Sequence, residues 1–87
     1  MPKRTKAEQM YMNIHPACES CGIIESREYH HILSRATGGP SEDWNALALC
    51  VSCHQVFHMN GRKTFCARFP KLEAKVKAAC QKLGRKF

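Results

Sequence analysis

The sequence predicts a small, metal-stapled α+β domain: a helix, two short strands leading into a second helix, and a basic helix at the C-terminal end. Three observations predict it. The chain has 87 residues, and a domain of that size buries only about 60–65% of the surface of its unfolded chain. It carries six cysteines, and small cores commonly need a metal or disulfides as staples. Finally, the apolar period changes near Cys50 from strand-like to helix-like. One domain is expected over 1–87, with a core of about 16–60 and a basic helical extension over 61–87.

The elements follow in chain order. Good helix formers fill residues 5–13. Thr5 stands three residues before Glu8, the spacing of a capping box, and Pro16 stops the helix. Cys18-Glu-Ser-Cys21-Gly22 reads as a knuckle. Ile23-Ile24 and Glu28–Ile32 read as short antiparallel strands or one bent strand. Ser34–Asp43, with Gly38-Gly39-Pro40, is a loop. Trp44–Leu49 reads as the next strand, ending at Cys50. Val51, Phe57 and Met59, with His54 and His58, then suit a helix that stops at Gly61. A further helical piece over 62–69 ends before Pro70. From Lys71, the spacing of Leu72, Val76, Ala79 and Leu83 draws one apolar stripe along a basic helix, closed by Gly84. That stripe packs on the chain's own core in the preferred reading (a monomer) or on a second copy (a homodimer).

Charge narrows the function. Fourteen Lys and Arg stand against seven Asp and Glu, a formal net charge of +7. Residues 61–87 hold nine of the basic residues and only Glu73 as an acid. Such a concentration suits a surface that meets a polyanion, although a solvated charged face has the same composition. No run of about 18 apolar residues exists, so no membrane span is expected. The basic opening Met1–Lys6 is not followed by the apolar stretch of a signal peptide. A reducing cytoplasm is therefore the expected compartment, where paired cysteines hold metal rather than form disulfides.

Cys18-x-x-Cys21 and Cys50-x-x-Cys53 are the strongest structural signal. A two-residue gap lets both thiolates of a knuckle reach one tetrahedral zinc ion. The 28 residues between the pairs exceed the usual spacing of a compact ribbon, so an insertion separates the knuckles. A closed four-cysteine structural zinc site is the preferred reading. Cys18 and Cys21 with His54 and His58 form an alternative set, but the gap far exceeds that of a two-cysteine, two-histidine finger. A redox CxxC would want a βαβ setting, which is missing. Cys66 and Cys80 match no ligand spacing and read as buried thiols. His15 reads as a loop or surface residue.

The histidines remain. His54 and His58, four apart on a helix, share a face and can bind one ion together. His30 and His31 lie on a strand, where neighbours point to opposite faces, so both serve one site only if the strand twists or ends there. Each histidine alone is compatible with a satisfied, half-buried ring. Four flanking one polar loop are harder to explain that way.

These segments together, Tyr29-His30-His31-Ile32, Gly38-Gly39-Pro40, Trp44-Asn45-Ala46-Leu47 and Leu49-Cys50-Val51-Ser52-Cys53-His54, closely resemble the HNH endonuclease family with its ββα-metal (His-Me finger) fold. His58 and Cys18-x-x-Cys21 extend the resemblance over about residues 16–60. Small phage and prophage members are similar in length and in their paired knuckles. The resemblance implies His31 as general base and His30 as metal ligand, in a position often occupied by Asp. It implies Asn45 as the residue that braces the loop and orients the base, and His54 as ligand of the catalytic ion. His58 matches a fourth histidine used by some members. The implied ion is Mg, Mn, Ni, Co or Zn, imidazole suiting the transition metals and carboxylate suiting Mg.

The implied substrate is DNA. Arg35, Arg62, Lys63 and Arg68 are the nearest candidates to hold its phosphates, and Lys71, Lys75, Lys77, Lys82, Arg85 and Lys86 extend the path. No recognition helix is visible, so weak sequence preference is expected. The rival readings are a non-catalytic zinc-ribbon DNA-binding module and an accessory subunit of a phage DNA packaging or recombination complex. The binding module explains the cysteines and the charge equally well but gives no reason for His31 and Asn45 together; the accessory subunit is one whose cleavage needs a partner.

Overall fold

A capping box starts the first helix, as the spacing of Thr5 and Glu8 predicts. In the computed structural model, which describes residues 4–87, α1 spans Lys6–Ile14. The Glu8 N–H donates to Thr5 Oγ1 at 3.2 Å, and the Thr5 N–H donates to Glu8 Oε1 at 2.9 Å. Two of the helix's orphan donors are thereby satisfied. Of the basic opening, Met1, Pro2 and Lys3 lie outside the described residues.

After Pro16 the chain folds back on itself. The Cys18 N–H donates to the Ile24 carbonyl at 2.8 Å, the Gly22 N–H to the Cys18 carbonyl at 2.9 Å, and Ala17 forms an isolated bridge with Glu25. Ile23-Ile24 is therefore no strand, contrary to the reading of its two β-branched residues. The knuckle uses this backbone to close its own turn, and Ile23 stays 88% exposed.

Two strands follow. β1 (Glu28–His31) pairs antiparallel with β2 (Ala46–Leu49) in the register Glu28↔Leu49, Tyr29↔Ala48, His30↔Leu47 and His31↔Ala46. Both are shorter than the sequence suggests. Trp44 and Asn45 belong to a 3-10 turn (Asp43–Asn45) that feeds β2, while Ile32 still donates its N–H to the Asn45 carbonyl at 2.8 Å. Because strand side chains alternate, β2 sorts its residues by size. Ala46 and Ala48 pack with Tyr11 and Met12 of α1, and Leu47 and Leu49 enter the larger core on the opposite face. The small alanines let α1 approach the sheet closely.

The next helix, α2 (Val51–Arg68), is two helices joined at Gly61, whose φ of 82° and ψ of 170° break the helical course. A side chain at that left-handed φ would be strained, so glycine sets the kink. The halves meet the predicted pieces before and after Gly61. A turn at Pro70–Leu72 leads to α3 (Glu73–Lys82). The stripe is covered by this chain itself: Leu72, Val76 and Ala79 are buried with Phe57 and Phe65 in the main core, and Leu83 packs against it. Burying a side chain such as Phe65 stabilises the fold by about 1.5–3 kcal/mol.

A polar tie holds the layers in place. The Tyr11 hydroxyl accepts from Lys75 Nζ at 2.7 Å and lies within hydrogen-bond distance of Glu19, whose carboxylate also accepts the Ala48 N–H at 2.7 Å. This joins α1, the knuckle, β2 and α3. No described helix is long and apolar enough to cross a membrane.

Candidate metal centres and the cleft between α1 and α2

The backbone brings two donor clusters to the two ends of one short segment. The first unites Cys18 and Cys21 of the knuckle with Cys50, the N-cap of α2, and Cys53 in its first turn. One sulfur from each lies within 4.8 Å of the others. Cys18, Cys50 and Cys53 are buried and Cys21 is half-buried. Thiolates are the form that binds metal, and a helix N-terminus favours them. Burial opposes ionisation of Cys18, but hydrogen bonds from Ser20 and from the backbone N–H groups of Cys50, Cys21 and Ser20 outweigh it and bring that thiol down to about 6. Burial pushes the Cys53 thiol up to about 12, and the neighbouring thiols add to the effect. An enclosed tetrad of soft donors can hold a metal such as zinc. Cys66 and Cys80 lie in the main core and take no part in it.

The second cluster is His30, His54 and His58, again with one ring nitrogen of each within 4.8 Å of the others. β1 supplies His30, and one turn of α2 supplies the pair. The ring centroids of His30 lie 4.8 Å from His54 and 5.2 Å from His58, and the Phe57 ring backs His30 at 4.1 Å. Three features fit a cation here. His30 Nε2 is buried with no hydrogen-bond partner, a costly arrangement unless a ligand relieves it. His54 Nε2 and His58 Nε2 stand 3.0 Å apart, so they must share a proton or a cation. Burial, with repulsion from His54 and His58, holds the His30 pKa down to about 3, leaving a neutral ring with a lone pair to give. Unlike the cysteines, this cluster is open, because His58 is exposed.

Glu28, which sequence reasoning passed over, completes it. Its Oε1 lies 2.7 Å from His54 Nδ1. That contact orients the ring so that Nε2 faces the cluster, the arrangement carboxylates adopt behind metal-binding histidines. The signal was present, since Glu28 precedes His30 by two and so shares its strand face.

His31 points the other way, beside Tyr29 and towards α1. Its Nε2 lies 2.9 Å from Ser41 Oγ, which donates to Glu8 Oε2 at 2.6 Å. Burial lowers the His31 pKa; Glu8 works against that shift and Arg35 adds to it. Asn45 is fully buried. Its Oδ1 accepts the Leu33 N–H at 2.9 Å, and its Nδ2 donates to the carbonyls of Leu33 at 3.0 Å and Pro40 at 2.9 Å. The side chain thus staples both ends of the loop after β1. Gly39 fits beneath it because a Cβ there would stand 1.7 Å from the Leu33 carbonyl oxygen and 2.8 Å from Asn45 Nδ2.

The two faces of β1 meet in one cleft. In the two-stranded sheet β1 has a free edge, and a cavity of about 920 Å³ is lined by its Glu28, Tyr29 and His31, with His54 and Glu8. Arg4, Lys6, Arg27 and Arg35 also line it. Of the basic residues singled out from sequence, only Arg35 is there. Arg62 donates to the Lys86 carbonyl at 2.9 Å, while Lys63 and Arg68 are exposed on α2 beyond Gly61. Charge totals placed the cations at the C-terminal end; Arg4, Lys6 and Arg27 reach the cleft because α1 and the segment before β1 fold together.

No curated protein and no solved structure matches the chain. A family model described as HNH endonuclease matches residues 18–59. That span contains both donor clusters with His31 and Asn45, and this segment of the chain belongs to the HNH endonuclease family.

Proposed function

We propose that this protein is a metal-dependent endonuclease that hydrolyses DNA phosphodiester bonds with weak sequence preference. The observation that carries the reading is the single cleft lined by both His31 and His54, which gives a scissile phosphate a base on one side and a cation site on the other. His30, His54 and His58 would hold the catalytic ion, and the all-imidazole donor set favours Mn, Co, Ni or Zn over Mg. When bound, that ion supplies Lewis-acid relief of charge on the phosphate and the departing oxygen. Glu28 fixes the His54 ring. His31 takes the proton of the attacking water, work that an imidazole performs well near neutral pH. Asn45 keeps His31 in place through the loop and does not touch the reacting atoms. The products are a 5′-phosphate and a 3′-hydroxyl.

The four cysteines hold a structural zinc with no open position for substrate, and tie the knuckle to the start of α2. Arg4, Lys6, Arg27 and Arg35 bind the phosphates nearest the cut. Arg62, Lys63 and Arg68 extend the contact beyond the kink.

The test is nicking of supercoiled plasmid by the zinc-loaded protein, titrated with Mg, Mn, Co, Ni and Zn. Cleavage that depends on added ion and is lost in His31→Ala, with zinc content and fold retained, supports the reading. Undiminished cleavage by a clean His31→Ala preparation overturns it. Tight DNA binding with no cleavage under any ion supports a non-catalytic binding module instead.

A further inference from the structure

The helix that precedes the matched family segment reaches into the site. Glu8 sits in the first turn of α1 and is buried. Its two carboxylate oxygens have separate tasks. Oε1 accepts the Thr5 N–H at 2.9 Å, which closes the capping box, and Oε2 accepts the Ser41 hydroxyl at 2.6 Å. Ser41 Oγ in turn lies 2.9 Å from His31 Nε2, and Glu8 Oε2 itself stands 3.6 Å from that nitrogen. Helix capping accounts for Oε1 alone.

From this chain we infer that Glu8, acting through Ser41, is a positioning residue that fixes the tautomer of His31, leaving Nδ1 as the proton-accepting nitrogen. The argument is one of hydrogen-bond polarity. An ionised carboxylate can only accept, so the single Ser41 proton goes to Glu8. Ser41 Oγ must then accept from the imidazole, so the proton of the neutral ring sits on Nε2. The lone pair is left on Nδ1. Glu8 is held ionised: burial opposes this, but Ser41, the Thr5 N–H, His31 and Arg35 outweigh it and lower its pKa. The inference rests on the reading of His31 as the base, and it adds a part that lies outside residues 18–59.

Glu8→Gln separates this role from capping. Gln is accepted at that position of a capping box. The Thr5 N–H can only donate, so it holds the amide oxygen and turns the amide nitrogen towards Ser41. Ser41 must then accept from the amide and donate to His31 Nε2. The expected result is reversal of the ring to the Nδ1–H tautomer, read from the ¹⁵N shifts of His31 in the zinc-loaded full chain. In nicking assays kcat falls about 100-fold or more, the scale of a misdirected general base, while KM for DNA stays within about twofold. Ser41→Ala leaves the carboxylate near the ring and loses less than Glu8→Gln.

Wild-type His31 found with its proton on Nδ1 overturns the inference, whether or not the variant folds. So does a Glu8→Gln protein with unchanged tautomer and unchanged kcat, and if His31→Ala is inactive beside it, the reading of His31 as base stands. An active His31→Ala protein overturns both.

Discussion

The two donor clusters differ in almost every respect that a metal would feel. The cysteine tetrad joins two turns, each closed by its own backbone hydrogen bonds, and three of its four side chains are buried. The histidine triad joins a strand to a helix, holds one ring with an unpartnered buried nitrogen, and is exposed at His58. A closed set of soft donors makes a structural staple; an open set of imidazoles leaves room for a ligand of another kind. The two clusters meet at adjacent residues of α2, since Cys53 closes the first and His54 begins the second.

The largest expected effect comes from breaking the closed cluster. Structural zinc contributes about 10–16 kcal/mol in small domains, more than a chain of this length has to lose. Cys53→Ser should therefore abolish zinc retention and the cooperative thermal transition; a variant that melts normally would show that the tetrad is dispensable. Next is the open cluster. His54→Ala should lose ion-dependent nicking while keeping zinc, with a melting temperature within a few degrees of the parent, because its side chain is partly exposed. A mild chelator should reproduce that loss without unfolding the protein.

A smaller effect is expected from Glu28→Gln, which keeps the size of the side chain but weakens its hold on His54. Loss of such a partner costs about 10–100-fold in metal affinity, so activity should return at higher ion concentration; calorimetric titration of the divalent ion measures the shift directly. The smallest concerns DNA. Arg35→Ala should reduce the slope of log affinity against log salt by about one. Lys63→Ala, beyond the kink, should leave the cleavage rate at saturating DNA unchanged.

Much of this was legible in the sequence, for reasons of spacing. CxxC gaps, the four-residue step from His54 to His58 and the capping box all act within one turn of chain. Gly61 announced the break in α2. What escaped depends on partners far apart. In the sequence the capping box already gives Glu8 a reason to stand where it does, so the bond of its other oxygen to Ser41, 33 residues on, left no local trace. The isoleucines of the knuckle promised a strand, yet its turn had already consumed the backbone of Ile24. The cleft cations were hidden in residues 1–60, where five basic and six acidic residues nearly cancel, because composition records how many charges a segment has and not where it carries them.

The alternation along β1 has a consequence for errors of assembly. Sliding this strand by one position against β2 would turn His30 towards α1 and His31 towards α2, exchanging the two rings without changing the composition of the pocket. Such a protein would still look folded at low resolution, with each imidazole in the other's surroundings. The bonds from Arg27 to Leu49 and from Ile32 to Asn45, one at each end of the strand, pin the pairing against that slip, so two main-chain contacts decide which imidazole faces which helix.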